Sequence, residues 1–290
     1  MNRRDNTTKH HTDLVGSKQS IQRYLDLGLP PAKATLGFAF YAKYFTVDPA
    51  ASDCAKRPLG KHCRTVALEN ADGSDNGLSG ALTFEPSSEP GVLPTNLTAS
   101  ADGTCGAAAG TKCGEGFCCS SGGWCGSTEA HCGLSCQAGY GKCNGLTAIQ
   151  SWQNALTNGV SDTKRGGHYY FDRNASLFWT WDEPEHISKK FVDVVDALGV
   201  PNVMAWSLSE DSLDWRHLLA IQQGVKKHCL SEIDGFNAAA CTAKTTPRET
   251  YAVKPSVLTT RDTPAHYAAP IEPRGAAAGF AEVNAHGHSI

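Results

Sequence analysis

The sequence predicts an α/β protein interrupted by a disulfide scaffold. Two short apolar runs, Thr35–Tyr41 and Asn202–Leu208, sit beside segments with helical periodicity, and eight of the 12 cysteines fall between Cys105 and Cys143. Helix, strand, long insertion, helix, strand, helix is the order of an α/β parallel sheet.

The first helix is expected to be capped by Ser17, with Ile21, Tyr24 and Leu25 on one face and Gly28 and Pro30-Pro31 ending it. Thr35–Tyr41 follows as a run short enough for a buried strand. Residues 45–180 are rich in Gly, Ser, Asp and Cys with little helical periodicity, and 70–104 and 144–168 read as loops. Regular pattern returns at 182–228. Pro184 suits a first helical turn, and Ile187, Phe191, Val194, Val195 and Leu198 form a stripe that Gly199 closes. A strand over Asn202–Leu208 and a helix from about Ser212 come next. That helix carries Leu218, Leu219 and Val225 and ends in Lys226-Lys227-His228, as the dipole favours. Residues 230–290 have few large apolar side chains and are expected to be a disordered tail.

Composition narrows the function classes. At 290 residues the chain holds one large domain or two modest ones. A formal net charge of −3 argues against a nucleic-acid partner and against a polybasic membrane-surface protein. No run approaches the length of a membrane span. Twelve cysteines point to an oxidising compartment and hence to secretion, although the opening MNRRDNTTKHH has no apolar signal-peptide core.

The dense cysteines are Cys105, Cys113, Cys118, Cys119, Cys125, Cys132, Cys136 and Cys143. A segment this short cannot bury a self-sufficient core, so bridges of about 2–4 kcal/mol each must stabilise it. Adjacent cysteines and an even count, with no paired histidines at finger spacing, disfavour zinc. Spacing alone leaves all pairings of eight cysteines open.

The string CGEGFCCSSGGWCGSTEAHCGLSCQAGYGKC closely resembles the hevein-like, type-1 chitin-binding domain. That resemblance implies the bridges Cys105–Cys119, Cys113–Cys125, Cys118–Cys132 and Cys136–Cys143. It also implies a site for N-acetylglucosamine: Ser120 for the acetamide, Trp124 for stacking, and His131 and Gly122 where the family carries further aromatics.

The flanks LGLPPAKATLGFAFYAKYFTVDP and YYFDRNASLFWTWDEPEHISKKFVDVVDALGVPNVMAWSLSEDSLDW resemble the C-terminal part of fungal family 18 glycoside hydrolases, TIM-barrel chitinases. The resemblance makes 33–41 the seventh barrel strand and 202–208 the eighth, with an α+β insertion between them that houses the hevein-like domain. The implied organisation is a partial barrel at 1–44 and 182–229, insertion regions at 45–104 and 144–181, the chitin-binding domain at 105–143, and the tail at 230–290. Trp206 and Tyr41 take positions of a barrel sugar subsite, and Lys43 stands where the family often has arginine. Cys54–Cys63 and Cys229–Cys241 are the remaining expected pairs.

The family's D-x-x-D-x-D-x-E signature, which supplies the general acid and the acetamide-orienting aspartate, does not occur in the sequence. Asp193/Asp196 and Glu210/Asp211/Asp214 are expected on solvated faces and helix caps, so no catalytic residue is assigned. Six of the eight barrel strands have no counterpart here. The expectation is a truncated chitinase-like protein that binds chitin or chito-oligosaccharides without cofactor or metal. The alternative is an active endo-chitinase once the upstream catalytic segment is supplied. Asn6-Thr-Thr8, Asn96-Leu-Thr98 and Asn174-Ala-Ser176 match the N-glycosylation acceptor, and His10-His11 and His286-Gly-His288 are expected to face solvent.

Overall fold

The computed structural model describes residues 6–230 apart from 51, 52 and 75. The expected tail, Cys241 and His286-Gly-His288 lie outside the described residues. In chain order come β1 (Thr7–Thr8), α1 (Leu14–Asp26), β2 (Thr35–Ala39), β3 (Tyr41–Thr46), β4 (Gly60–Arg64) and β5 (Ser79–Thr83). The cysteine-rich segment contributes β6 (Thr98–Ala99), β7 (Thr111–Lys112), β8 (Cys118–Cys119), β9 (Cys125–Gly126) and α2 (Glu129–Cys132). Then follow α3 (Ala148–Asn158), β10 (Val160–Asp162), β11 (Gly167–Asp172), β12 (Leu177–Trp181), α4 (Pro184–Lys190), β13 (Asn202–Trp206) and α5 (Arg216–Lys227).

β2 and β13 pair in parallel, Thr35 opposite Asn202 and Ala39 opposite Trp206. One face of this ribbon packs Leu36 and Phe38 against Ile21 of α1, Ile187 of α4 and Ile221 of α5. Among the described residues the ribbon has two strands, and no closed barrel forms. The apolar stripe of 184–198 is buried as its periodicity requires, although Phe191–Asp196 widens into a π-type turn. Phe191 stacks on Phe38 at 5.4 Å, and Gly224 of α5 lies so close to its ring that a β-carbon there would stand 2.3 Å away.

Several boundaries differ from the sequence expectations. Helix α1 begins at Leu14 and is capped by Asp13, not Ser17. The Asp13 carboxylate accepts from the Gly16 amide and is held by Arg165 Nε at 2.8 Å, and an anchored charge outcompetes a hydroxyl as a cap. The run Thr35–Tyr41 divides at Phe40, whose amide donates to the Trp206 carbonyl at 2.9 Å, and Tyr41 opens a separate strand. Helix α5 starts at Arg216 rather than near Ser212, because Asp211 takes the Leu218 amide at 2.9 Å and turns the chain first. Leu219 on that helix is exposed.

The larger correction concerns 45–180. This interval supplies most of a five-stranded antiparallel sheet, β10-β11-β12-β3-β5, and helix α3 inside a stretch expected to be loop. A capping box between Thr147 and Gln150 starts α3. Its buried side is small, with Ala148, Ser151 and Ala155 around Trp152, so the helical period is faint in the sequence. Trp152 meets Trp179 and Trp181 at centroid distances of 5.1 Å, which joins the helix to the sheet.

The two cores meet at a buried ion pair. Lys190 Nζ donates to Asp182 Oδ2 and to the Thr12 carbonyl, and Thr12 Oγ1 donates to the same carboxylate oxygen at 3.0 Å. Both charged side chains are fully buried. Lys190→Met strands the carboxylate and is expected to cost about 3–5 kcal/mol, while Lys190→Met combined with Asp182→Leu recovers most of it. Urea unfolding followed by circular dichroism measures this, and a double variant no more stable than the single one would refute the pairing.

Candidate functional site

The disulfide segment places an aromatic face on the surface. The bridges are Cys105–Cys119, Cys113–Cys125, Cys118–Cys132 and Cys136–Cys143, with Cys54–Cys63 outside the segment. Cys229 is also disulfide-bonded. The Cys105, Cys113 and Cys119 sulfurs converge within 4.8 Å, but all three are in bridges and offer no thiolate to a metal.

A tight hairpin between β8 and β9 presents the face. Ser120 N donates to the Trp124 carbonyl at 2.9 Å, and Trp124 N donates back to Ser120 Oγ at 3.2 Å. Gln137 Nε2 braces the turn through the Ser120 carbonyl at 2.7 Å. The Ser120 hydroxyl keeps its proton to donate. Trp124 is 57% exposed, which suits a stacking ring and not a core one. Trp124 bridges Thr104 immediately before β9, and two residues on lies Gly126, where a β-carbon would stand 2.6 Å from the His131 ring. Residues two apart on a strand share a face, so the imidazole occupies the side of the hairpin from which Trp124 extends. Thr128 Oγ1 fixes that ring through Nδ1 at 2.7 Å. The structure thus places Ser120 and Trp124 on one hairpin with His131 of α2 against it at Gly126, and Gly122 beside them adds no side chain. Phe117, 49% exposed, is a second surface ring that the sequence reasoning did not single out.

The second expected place lies at the C-terminal ends of β2 and β13. Trp206 is 63% exposed and projects, with Met204, from the ribbon face opposite the core. Tyr41 begins β3 immediately beyond, with its ring 5.5 Å from that of His11. Burial, aided by the Glu210 charge, raises the Tyr41 phenol, which therefore stays a neutral hydrogen-bond donor. Of the neighbouring carboxylates, Glu210 accepts from Ser207 N at 2.6 Å, and Asp182 holds Lys190 through Oδ2 while its Oδ1 is buried without a partner. Asp211, expected on a solvated face or a helix cap, is buried and caps α5: it accepts from the Leu218 amide at 2.9 Å and lies 2.6 Å from His217 Nδ1. A cleft of about 380 Å³ opens between His10–Ser20 and the edge of β2, and neither Trp124 nor Trp206 lines it.

His10 and His11 do not face solvent as expected. His10 bonds Thr180 Oγ1 at 3.1 Å and Asp162 Oδ2 at 3.2 Å, and both His11 ring nitrogens are sealed without a partner. A histidine pair next to a polar terminus gave no hint of this, because the residues that bury it come from β11, β12 and α4.

The sequence matches the model of the Glycosyl hydrolases family 18 over residues 1–211, and the chain belongs to that family. It is 46% identical over 120 residues to the non-secreted LysM effector LCP1 of Gibberella moniliformis, covering 35% of this chain and 16% of that protein. It is 50% identical over 44 residues to a chitin deacetylase of Pestalotiopsis sp, covering 15% of each. Among solved structures it is similar to the GH18 chitinase of Cycas revoluta in complex with (GlcNAc)3, with a TM-score of 0.41 and 14% identity over 77% of this chain and 43% of that one. The chain spans less than half the length of each of these proteins.

Burial predicts an acid-sensitive fold. It holds the His11 imidazole down to about 4 and lowers His168 and His186 as well. Unfolded imidazoles titrate near 6.5, so unfolding takes up protons between about pH 6.5 and 4 and stability falls as pH drops through that window. His11 accounts for about 3 kcal/mol of the loss. Asp162 and Asp211 act lower. Burial opposes their ionisation, but hydrogen bonds from Arg165 and His10 to the first, and from His217 and Leu218 to the second, hold both below the usual carboxylate range. Their contribution is present above about pH 4 and is lost below it. Urea midpoints at pH 7 and 4.5 should therefore differ widely in the parent and by clearly less in His11→Gln. Equal differences would show that His11 is not the buried neutral group.

Proposed function

We propose that this family 18 protein binds chitin, or N-acetylglucosamine oligomers, through a hevein-like domain at residues 105–143. The observation that carries the proposal is the Trp124 ring on a bridge-locked hairpin, with the Ser120 hydroxyl at its base and His131 on the same side. An exposed indole offers a large apolar face to a sugar ring, and a fixed hydroxyl can donate to an acetamide carbonyl. Family membership and the segment shared with a chitin deacetylase favour the same ligand class.

In this scheme 1–44 and 182–229 are barrel-derived, with β2 and β13 as its last two strands, and 45–104 and 144–181 are the insertion around the domain. Trp206 and Tyr41 form a second, weaker sugar surface. The bridges support maturation in an oxidising, secretory environment.

A single strong aromatic predicts millimolar affinity for short oligomers, about −4 kcal/mol. Trp124→Ala should abolish retention on chitin beads and Trp124→Phe should keep part of it, with the bridge pattern unchanged by peptide mapping. Retention of the Ala variant at the parent level would overturn the assignment.

The second reading, hydrolysis of β-1,4 linkages, is favoured by the family match alone. The sequence lacks the D-x-x-D-x-D-x-E signature, and Glu210, the carboxylate that acts on Tyr41, is held by the Ser207 amide. Loss of a general acid alone is worth typically 10²–10⁴-fold. Residues 1–290 should release no reducing ends from chito-oligosaccharides above a heat-killed control. Turnover that disappears in Trp206→Ala would establish hydrolysis instead.

A further inference from the structure

We infer that Asn96 is an N-linked glycan acceptor displayed on the strap that leads into the disulfide domain. The three acceptor motifs differ in how the fold holds them. At Asn6-Thr-Thr8 the hydroxyl-bearing residue is fully buried, and Thr8 Oγ1 donates to the Pro58 carbonyl at 2.6 Å. At Asn174-Ala-Ser176 the chain is wound into the turn between β11 and β12, with Ser176 at φ 53° and the Asn174 backbone N–H tied to Asp172 Oδ1 at 3.0 Å. At Asn96-Leu-Thr98 the chain straightens into β6, and Thr98 pairs with Thr111 of β7.

The middle residue explains the display. Leu97 packs onto the core of Cys105, Cys113, Cys119 and Tyr140. Asn96 lies in the turn at 95–96 that leads into β6, and with Leu97 turned inward both Asn96 and Thr98 are exposed. Neither the Asn96 amide nor the Thr98 hydroxyl makes a hydrogen bond among the described residues, so nothing in the fold competes for either group. Close by on the strap, Val92 is 96% exposed, an apolar surface that a glycan would shield. The compartment agrees: a chain whose described cysteines are all bridged folds in an oxidising lumen, where oligosaccharide transfer also occurs.

The step uses a lipid-pyrophosphate-linked oligosaccharide as donor. The Asn96 Nδ2–C1 bond forms as the sugar C1–O bond to pyrophosphate breaks. The amide nitrogen loses one proton, and the lipid pyrophosphate leaves; no oxidant or reductant takes part.

The full chain, secreted from a yeast host behind a cleavable leader, tests this. Peptide-N-glycosidase treatment in ¹⁸O water should recover the Asn96 peptide deamidated and labelled. Thr98→Ala should lose that label and drop the glycoprotein by one glycan on a gel, whereas Thr98→Ser should retain it. An unlabelled, unmodified Asn96 peptide from secreted, fully bridged protein would overturn the assignment. So would a label that persists in Thr98→Ala. Neither outcome depends on chitin binding.

Discussion

The fold hangs on one buried carboxylate. Asp182 stands where β12 gives way to α4, and it gathers groups from the N-terminal segment, α4 and α5. Lys190 of α4 and Thr12 of the N-terminal segment bond its Oδ2, while its backbone carbonyl takes His217 Nε2 of α5 at 3.1 Å. His217 is held in turn by Asp211 on the segment after β13 and packs on Phe84 at 4.3 Å. A charge so deep is costly unless every neighbour is in place, so the pair specifies an arrangement more than it adds net stability. Through it the parallel ribbon, the antiparallel sheet and the three helices around them are held in register. The chain reaches this point from residues 12, 182, 190, 211 and 217, which places the N-terminal segment and the end of the described chain in one structure despite the long interval between them.

The disulfide segment is held by a different means. Its core is sulfur, and its geometry is set by covalent bonds, so the surface side chains are free of any packing duty. That freedom leaves Trp124 and Phe117 exposed on a rigid support. The segment is nonetheless fastened to the body. Ala148 N at the head of α3 donates to the Leu134 carbonyl at 2.8 Å, and Leu134 packs on the Trp152 cluster. The parallel pairing of β6 with β7 secures the other end. A face carried this way is rigid, and a ligand of the proposed kind would find it preorganised.

Much of this was legible in the residues. The stripe from Ile187 to Leu198 and the parallel order of the two strands follow from periodicity, because those elements bury a wide apolar face of large side chains. Helix α3 was hidden because its buried side is mostly alanine and serine. The antiparallel sheet was hidden because it joins the adjacent strands β10, β11 and β12 to β3 and β5, which lie far earlier in the chain. Asp13, Asp182, His10 and His11 could not be located from the sequence, since each is fixed by a partner or neighbour far away in the chain. At the candidate site, Ser120 and Trp124 were legible from the cysteine frame that surrounds them. The role of Gly126, which makes room for the His131 ring, is visible only in three dimensions.

The two aromatic places differ in what they can do with a sugar polymer. Cleavage of a sugar linkage at the Trp206 and Tyr41 surface would need an available acid, and Glu210 beside Tyr41 already holds the Ser207 amide. Trp124 needs none. A flat ring on a rigid hairpin can meet any residue of a repeating polymer, and neighbouring repeats raise the chance of rebinding without adding a contact. Weak intrinsic affinity is therefore compatible with firm retention on an insoluble lattice. The structure separates attachment, which one exposed ring and one hydroxyl can supply, from bond cleavage, which requires a proton donor held over the scissile oxygen.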